Sequence, residues 1–163
     1  YTAIKALPSM QIAVAGPRGG SVPTDLGISI HTAAKHYARQ LGIGGLHTTV
    51  LIRAHHKSTI DGVCEGLCEP LDTRHFRLDV CLYANWLQIL AHEMVHIKQF
   101  ARNELDLSME RWKKRLYCGA IDYWDQPWER EAYRLQARLV EDYAKNPGNP
   151  TLLYPKVAKN PGK

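Results

Sequence analysis

The sequence lacks the features that would place a chain of 163 residues in a specialised class of protein. Its longest uncharged apolar stretch, around Trp86–Ala91, is far shorter than the roughly 20 residues needed to cross a bilayer. The opening residues do not follow the charged-then-apolar pattern of a signal peptide. No run of five like charges occurs, and we interpret the densest basic cluster, 111–115, as a solvated face or a hairpin. These absences exclude a membrane protein, a fibrous repeat and a fully disordered chain.

Cysteine is also scarce, with four residues in the chain. Cys64 and Cys68 have C-x3-C spacing, but no second pair completes a four-ligand zinc site. The chain has no Asn-x-Ser/Thr acceptor for glycosylation, because the residue after Asn149 is proline. We therefore expect free thiols and a cytoplasmic location, with a Cys64–Cys68 disulfide as the alternative.

The charge balance is mildly basic, with 21 Lys and Arg against 16 Asp and Glu and a net charge of +5. This balance allows contact with nucleic acid but does not require it. The apolar and charged fractions, 45% and 23%, are those of an ordinary globular domain. The sequence therefore predicts one domain with a substantial core, and it leaves the oligomeric state open.

Local patterns predict an α+β domain over 24–144, preceded by an irregular segment, 1–23, and followed by a flexible tail, 145–163, that contains Pro and Lys. The predicted helices are 25–41, 85–102 and 127–143. The predicted strands are 47–55, 58–63 and 74–82, with a short strand at 10–15 and a strand or hairpin at 111–117.

The clearest functional signal is His92-Glu93-Met94-Val95-His96, an H-E-x-x-H motif in the predicted helix 85–102. Residues i and i+4 lie above one another on a helix, so His92 and His96 can bind one zinc ion. Glu93 lies about 100° further round the helix, where it can accept a proton from a water molecule that the metal activates. The surrounding helix is apolar on most sides, which makes unpaired polar groups there costly. These features predict a metal site with Glu93 as general base.

A catalytic zinc site needs a third protein ligand, and the helix from Pro127 offers Glu129 and Glu131. On a helical wheel, Glu129 falls within the arc of the apolar residues, whereas Glu131 falls on the charged side. Glu129 is the predicted ligand and Glu131 the runner-up. Ala132 on the same helix would allow a close approach to the helix that carries His92 and His96.

The combination of His92-Glu93-x-x-His96 with Glu129-x-x-Ala132 resembles the gluzincin group of zinc metallopeptidases, over about residues 74–144. The stretch 123–133, with its Pro-Trp-Glu-x-Glu-Ala motif, is similar to small metallopeptidase-like proteins of phages and bacteria. The chain departs from the gluzincin pattern at Tyr133, where the group usually has Asp or Asn supporting a histidine ligand. The resemblance implies a bacterial cytoplasm or a phage-infected cell as its location.

The resemblance also implies a minimal zincin-like architecture, in which a small twisted sheet packs on the N-terminal helix and the active-site helix. A C-terminal helix carries the third ligand. By this analogy, strand 74–82 borders the cleft and pairs with an extended substrate. Tyr123 or Tyr117 would stabilise the oxyanion, with a packing role as the alternative for each.

The function implied is that of a zinc-dependent metallopeptidase, in which Zn²⁺ and Glu93 hydrolyse a peptide or protein substrate. Two alternatives remain open: a catalytically silent zinc-binding regulatory or interaction domain, and a DNA-associated protease. We expect His55 and His56 to be a polar strand end. The other histidines receive no role: His31, His36, His47 and His75.

Overall fold

Three parallel strands and one antiparallel strand form the main sheet. A computed structural model of the protein describes residues 8–83, 85–117 and 120–150. The strands are β1 (Gln11–Ala15), β2 (Thr49–His55), β3 (Gly66–Pro70) and β4 (His75–Cys81). Their spatial order is β1-β2-β4-β3, with β3 antiparallel to β4 and the other pairs parallel.

Three long helices accompany the sheet in the described part of the chain: α1 (Thr24–Gln40), α2 (Trp86–Ala101) and α3 (Pro127–Ala144). In α1, the buried residues Ile30, Ala33, Ala34 and Tyr37 follow the i, i+3, i+4, i+7 spacing of an apolar stripe. The helix ends before Gly42, which has φ of +70°, a conformation that glycine adopts without strain. The three predicted helices therefore form within one or two residues of their predicted ends.

Alternation along the central strands separates two faces of the sheet. Val50 and Ile52 in β2 are fully buried, whereas Leu51 between them is exposed. Phe76 and Leu78 in β4 join the same core as the helices, on the face that β2 also buries. The structure is thus a mixed α+β domain with a small mixed sheet, as the sequence predicted at that level.

The N-terminal strand belongs to this sheet. Residues 11–15 pair in parallel with 49–53, and Met10 is part of the core. The strand predicted at 10–15 is therefore confirmed, although we had assigned it to an irregular segment outside the domain. The boundary drawn at residue 24 would remove a strand from the sheet.

The prediction of a strand at 58–63 is wrong. That segment is a loop, in which the carboxylate of Asp61 accepts hydrogen bonds from the backbone N–H groups of Val63 and Cys64. The strand forms later, at Gly66–Pro70. A turn at Asp72 connects β3 to β4. The Asp72 side chain accepts hydrogen bonds there from the backbone N–H groups of Arg74 and His75.

The role predicted for strand 74–82 at the cleft also needs correction. Its observed counterpart, β4, is paired on both sides, by β2 and by β3. It cannot pair with a substrate because its backbone groups are already bonded to those neighbours. Within the part of the chain that the structure describes, the free edge on the side of α2 belongs to β3, which packs against that helix.

The segment between α2 and α3 contains a small hairpin of β5 (Arg111–Trp112) and β6 (Arg115–Leu116). Lys113 and Lys114 form its turn with positive φ, so the basic cluster is a hairpin as predicted. A short 3-10 helix, Tyr123–Asp125, leads into α3. No helix in the described ranges is both long and apolar enough to span a membrane.

Cys64, Cys68 and Cys81 are free thiols, so the alternative disulfide between Cys64 and Cys68 is absent. Cys118 and most of the tail that we predicted to be flexible, from residue 151 onwards, lie outside the described residues.

Candidate metal centre

Side chains from two helices meet at one point in the domain interior. His92 and His96 of α2 and Glu129 of α3 are all buried, and one ligand atom of each lies within 4.8 Å of the others. The Nε2 atoms of the two histidines are 3.2 Å apart. Glu129 lies 3.0 Å from His92 through Oε2 and 3.3 Å from His96 through Oε1. This group could bind a metal ion.

These separations suit a tetrahedral ion. Bonds of about 2.0–2.1 Å from zinc to nitrogen and oxygen place neighbouring ligand atoms about 3.3 Å apart in a regular tetrahedron. The three measured separations, 3.0, 3.2 and 3.3 Å, lie at or slightly below that value, and the two that involve Glu129 are to different oxygens of its carboxylate. The donor set therefore fits such an ion without rearrangement of either helix.

Local sequence explains why the donors converge. His92 and His96 are one helical turn apart and face α3. Pro127 occupies the first turn of α3, where its missing N–H costs nothing, so Glu129 falls in that same turn. Ala132 is fully buried, and its small side chain allows the two helices to approach closely, as predicted. The structure brings together the three residues predicted as ligands.

Glu131, the runner-up ligand, is directed elsewhere. Its Oε1 accepts hydrogen bonds from Lys98 Nζ at 2.8 Å and from Gln99 Nε2 at 3.3 Å. Lys98 holds the pKa of Glu131 below its ordinary value, although burial alone would raise it. Glu131 therefore holds α3 to α2 and lies outside the metal group. The wheel placed it among the exposed charges, but it is largely buried beneath the lysine.

Two glutamines complete the centre, and sequence reasoning missed both. Gln136 Oε1 accepts the Nδ1–H of His92 at 2.7 Å, and Gln99 Oε1 accepts the Nδ1–H of His96 at 2.8 Å. These bonds keep a proton on Nδ1 and direct Nε2 of each ring at the shared point, where it can donate a proton to Glu129 or, once deprotonated, offer its lone pair to a metal. Their spacing was a usable signal: Gln99 follows His96 by three residues, and Gln136 follows Glu129 by two helical turns.

Electrostatics in the group agree with a cation site. Burial alone would raise the pKa of Glu129, yet hydrogen bonds from His92 and His96 hold it well below its usual range. Burial alone would lower the pKa of His96, but its bond with Glu129 and the charge of Glu93 raise it to about 9. The buried carboxylates thus attract positive charge to this point, as a proton or as a metal ion.

Glu93 is buried beside the group without belonging to it. Burial raises the pKa of its carboxyl above the ordinary value. The edge strand comes very close: a Cβ placed on Gly66 would lie 2.6 Å from Glu93 Oε1 and 2.6 Å from a methyl carbon of Ile89. Only glycine leaves room at residue 66 for the carboxylate between β3 and α2.

Tyr123 lies at the centre, whereas Tyr117 does not. The Tyr123 hydroxyl donates to Glu129 Oε2 at 2.8 Å and lies 3.3 Å from the Tyr133 hydroxyl. Burial and these two partners raise the pKa of Tyr123 far above its ordinary value, so its hydroxyl keeps its proton. Tyr117 packs edge-on against the ring of Trp128, which is the alternative role considered for it.

Tyr133, the residue at which the sequence departs from the gluzincin pattern, lies beside His92. Its ring packs edge-on against the His92 ring, with the centroids 4.7 Å apart. The hydrogen bond that supports His92 comes from Gln136, about one turn further along α3. Support of His92 from α3 therefore comes through Gln136.

His55 contributes to a separate ionic cluster on the sheet face opposite the helices. Asp79 of β4 accepts two hydrogen bonds from Arg53, at 2.7 and 2.9 Å, and lies 2.6 Å from His55 Nε2. Although burial alone would raise the pKa of Asp79, these partners hold it below its ordinary value. His55 is thus a paired residue of the sheet, as its predicted position at a strand end suggested.

Comparisons with protein-family models, with curated proteins and with solved structures found no significant match. The case for function therefore rests on the geometry of this centre.

Proposed function

We propose that the protein is a zinc-dependent metallopeptidase of minimal zincin-like fold. The observation that carries the proposal is the tetrahedral spacing of His92, His96 and Glu129, with a separate buried carboxylate, Glu93, beside them. Three ligands of the His2Glu type leave a fourth position for the reaction, which is the arrangement of catalytic rather than structural zinc sites. This donor set favours zinc over magnesium or calcium, which prefer oxygen ligands alone.

The residues of the chain have distinct parts in peptide hydrolysis. Zinc bound here would supply Lewis acidity, polarising the substrate carbonyl and acidifying a water molecule. Glu93 accepts the proton of the attacking water and then donates it to the leaving amine. Its raised pKa suits both steps, because a carboxyl with a pKa nearer to neutrality can give up the proton as well as take it. Tyr123 retains its proton, which it donates to Glu129 in this structure. To stabilise the oxyanion, the hydroxyl would turn from Glu129 and donate that proton to the oxyanion instead.

The edge strand β3 offers the means of holding a substrate. Its outer side has no neighbouring strand among the described residues, and Gly66 places its backbone against Glu93. An extended peptide that pairs with β3 would pass directly by the proton acceptor. This assigns to β3 the part that the resemblance to gluzincins implied for strand 74–82.

Elemental analysis and a peptide-library assay together test the proposal. We expect about one zinc per chain in the wild type. Glu129→Ala should lose the metal, whereas Glu131→Ala should keep it, because Glu131 bonds to Lys98 instead. Glu93→Gln should keep zinc and lose hydrolysis by at least 100-fold, because the amide cannot accept the proton.

Three contrary results would refute parts of the proposed function. Hydrolysis by zinc-loaded Glu93→Gln at the wild-type rate would refute the assigned mechanism. Stoichiometric zinc without cleavage of any peptide would favour the silent zinc-binding domain. Absence of zinc from folded wild type after metal is added would remove the metal centre altogether.

A further inference from the structure

Three aromatic side chains form an exposed surface beside the metal group. We call this surface, made of Tyr123, Trp124 and Tyr133, the aromatic platform. Trp124 is 68% exposed, Tyr123 44% and Tyr133 38%. Exposure is unusual for tryptophan in this chain, because Trp86, Trp112 and Trp128 are all buried. Exposed aromatic groups in contact with one another are typical of a binding surface.

The platform is continuous and well supported. The rings of Trp124 and Tyr133 are tilted by 34° with centroids 5.3 Å apart, and Tyr123 packs edge-on against Trp124 at 5.2 Å. The Trp124 carbonyl accepts a hydrogen bond from Arg130 Nε at 3.0 Å, which fixes the 3-10 helix to α3. The platform therefore presents a defined surface and not three independent side chains.

The platform also touches the metal group directly. The Tyr123 hydroxyl bonds to Glu129, and the Tyr133 ring packs on His92. A molecule whose reacting bond is held at the metal group would have its neighbouring side chain within reach of these rings. Contact between this side chain and the platform would therefore contribute to substrate specificity.

We propose that the aromatic platform binds an aromatic side chain next to the bond that the protein cleaves; this rests on the proposed peptidase function. The rings are too exposed to enclose a branched aliphatic group, but their open faces and edges suit contact with another planar ring. A cationic side chain gains no net attraction there, because a divalent ion with two neutral histidines and the carboxylates of Glu129 and Glu93 leaves no net charge. The charged neighbours of the platform, Arg130 and Asp125, neutralise each other at 2.9 Å.

The experiment uses Trp124 as its own reporter. Zinc-loaded Glu93→Gln protein is titrated with blocked Ala-Gly octapeptides that carry a single Phe, Leu or Lys at each position in turn. Because the other three tryptophans are already buried, a saturable blue shift of tryptophan emission reports contact at Trp124. We expect a Phe peptide to bind at least 10-fold more tightly than its Leu and Lys counterparts, and the wild type to cleave it with at least 10-fold higher kcat/KM.

Substitution of the platform should remove the preference without removing the metal. Trp124→Ala in the wild-type background should reduce the Phe-to-Leu ratio of kcat/KM to within 2-fold of unity while zinc content is unchanged. Ile28→Ala is the control, because Ile28 is also an exposed apolar residue but lies beside Val14 of β1, at the opposite edge of the sheet from β3. That variant should keep the preference.

The outcomes separate this inference from the proposed function. Cleavage of all peptides without preference for Phe, or a preference that survives in Trp124→Ala, overturns the inference and leaves the peptidase intact. Selective binding of Phe peptides without cleavage by the wild type supports the platform and overturns the activity. A saturable blue shift with chito-oligosaccharides and none with Phe peptides would assign the platform to sugars and also overturn the inference.

Discussion

Replacing Gln136 with leucine tests whether the glutamines control metal affinity. Leucine has a similar size, so the change removes the bond that Gln136 Oε1 accepts from His92 Nδ1 at 2.7 Å while it keeps the packing. His92 is then free to move its proton to Nε2 or to rotate, and either change withdraws its lone pair from the metal point. Loss of such a supporting bond typically reduces metal affinity 10- to 100-fold, or about 1.4–2.7 kcal/mol.

The assay is a competition titration of zinc against a chromophoric chelator at pH 7.5. Gln136→Leu should bind zinc at least 10-fold more weakly than the wild type, and Gln136→Glu should recover the affinity because a carboxylate also accepts the Nδ1–H. Gln88→Leu is the matched control, since Gln88 is an exposed glutamine on α2. If folded Gln136→Leu bound zinc as tightly as Gln88→Leu, our account of how the histidines are oriented would be wrong.

Two further predictions concern the sheet. Asp79→Asn should lower the free energy of unfolding by about 3 kcal/mol, because it leaves Arg53 and His55 without their buried anion. The pKa of Asp79 is depressed in the folded state, so this loss should be complete above about pH 5 and should shrink as the pH falls below about 4, where the aspartate also protonates. Urea unfolding across pH 3–7 measures it, and an equal loss at every pH would contradict the assignment. Gly66→Ala should keep zinc but lower kcat at least 10-fold, because its Cβ displaces Glu93. Gly45→Ala, where nothing lies within 4 Å of the added carbon, should match the wild type, and full activity of Gly66→Ala would show that β3 has more room than its geometry indicates.

The two helices of the metal group were the most predictable part of the molecule. The histidine pair needs only one helical turn, and the apolar arc around Trp128 and Ala132 determines which face of α3 meets α2. Glu129 shares that face, so a wheel drawn from the sequence was enough to select it. Helical periodicity predicts this part of the site because the apolar residues of α3 lie on the face that packs against α2.

The edge strand was not predictable for a physical reason. Gly66, Glu69 and Pro70 all have low strand propensity, and β3 tolerates them because an edge strand needs partners on one side only. The segment 58–63 resembles a strand more closely, but the bonds accepted by Asp61 hold it in a loop. Strand propensity along the chain cannot show which segment will pair with the open side of β4.

The polar contacts between α2 and α3 could not be predicted from the sequence for a related reason. Glu131 lies two residues from Glu129 and has the same side chain. Its position is fixed by a hydrogen bond from Lys98 of α2, which is 33 residues earlier in the chain. Gln99 likewise contacts both His96 and the Trp128 carbonyl, so its role exists only once α2 and α3 have met. A wheel describes one helix and cannot represent bonds of this kind.

The division of the ligands between two helices has a mechanical consequence. A metal ion held by His96 and Glu129 would act as a cross-link, tying together points in the chain that are separated by the hairpin and the 3-10 helix. Closing a loop of this length removes conformational freedom from the unfolded chain, as a disulfide does, and a closure of about 30 residues ranks with disulfides that contribute about 3–4 kcal/mol. A domain with free thiols in its described parts would thus gain through coordination the kind of covalent-like restraint that other small proteins gain from paired cysteines.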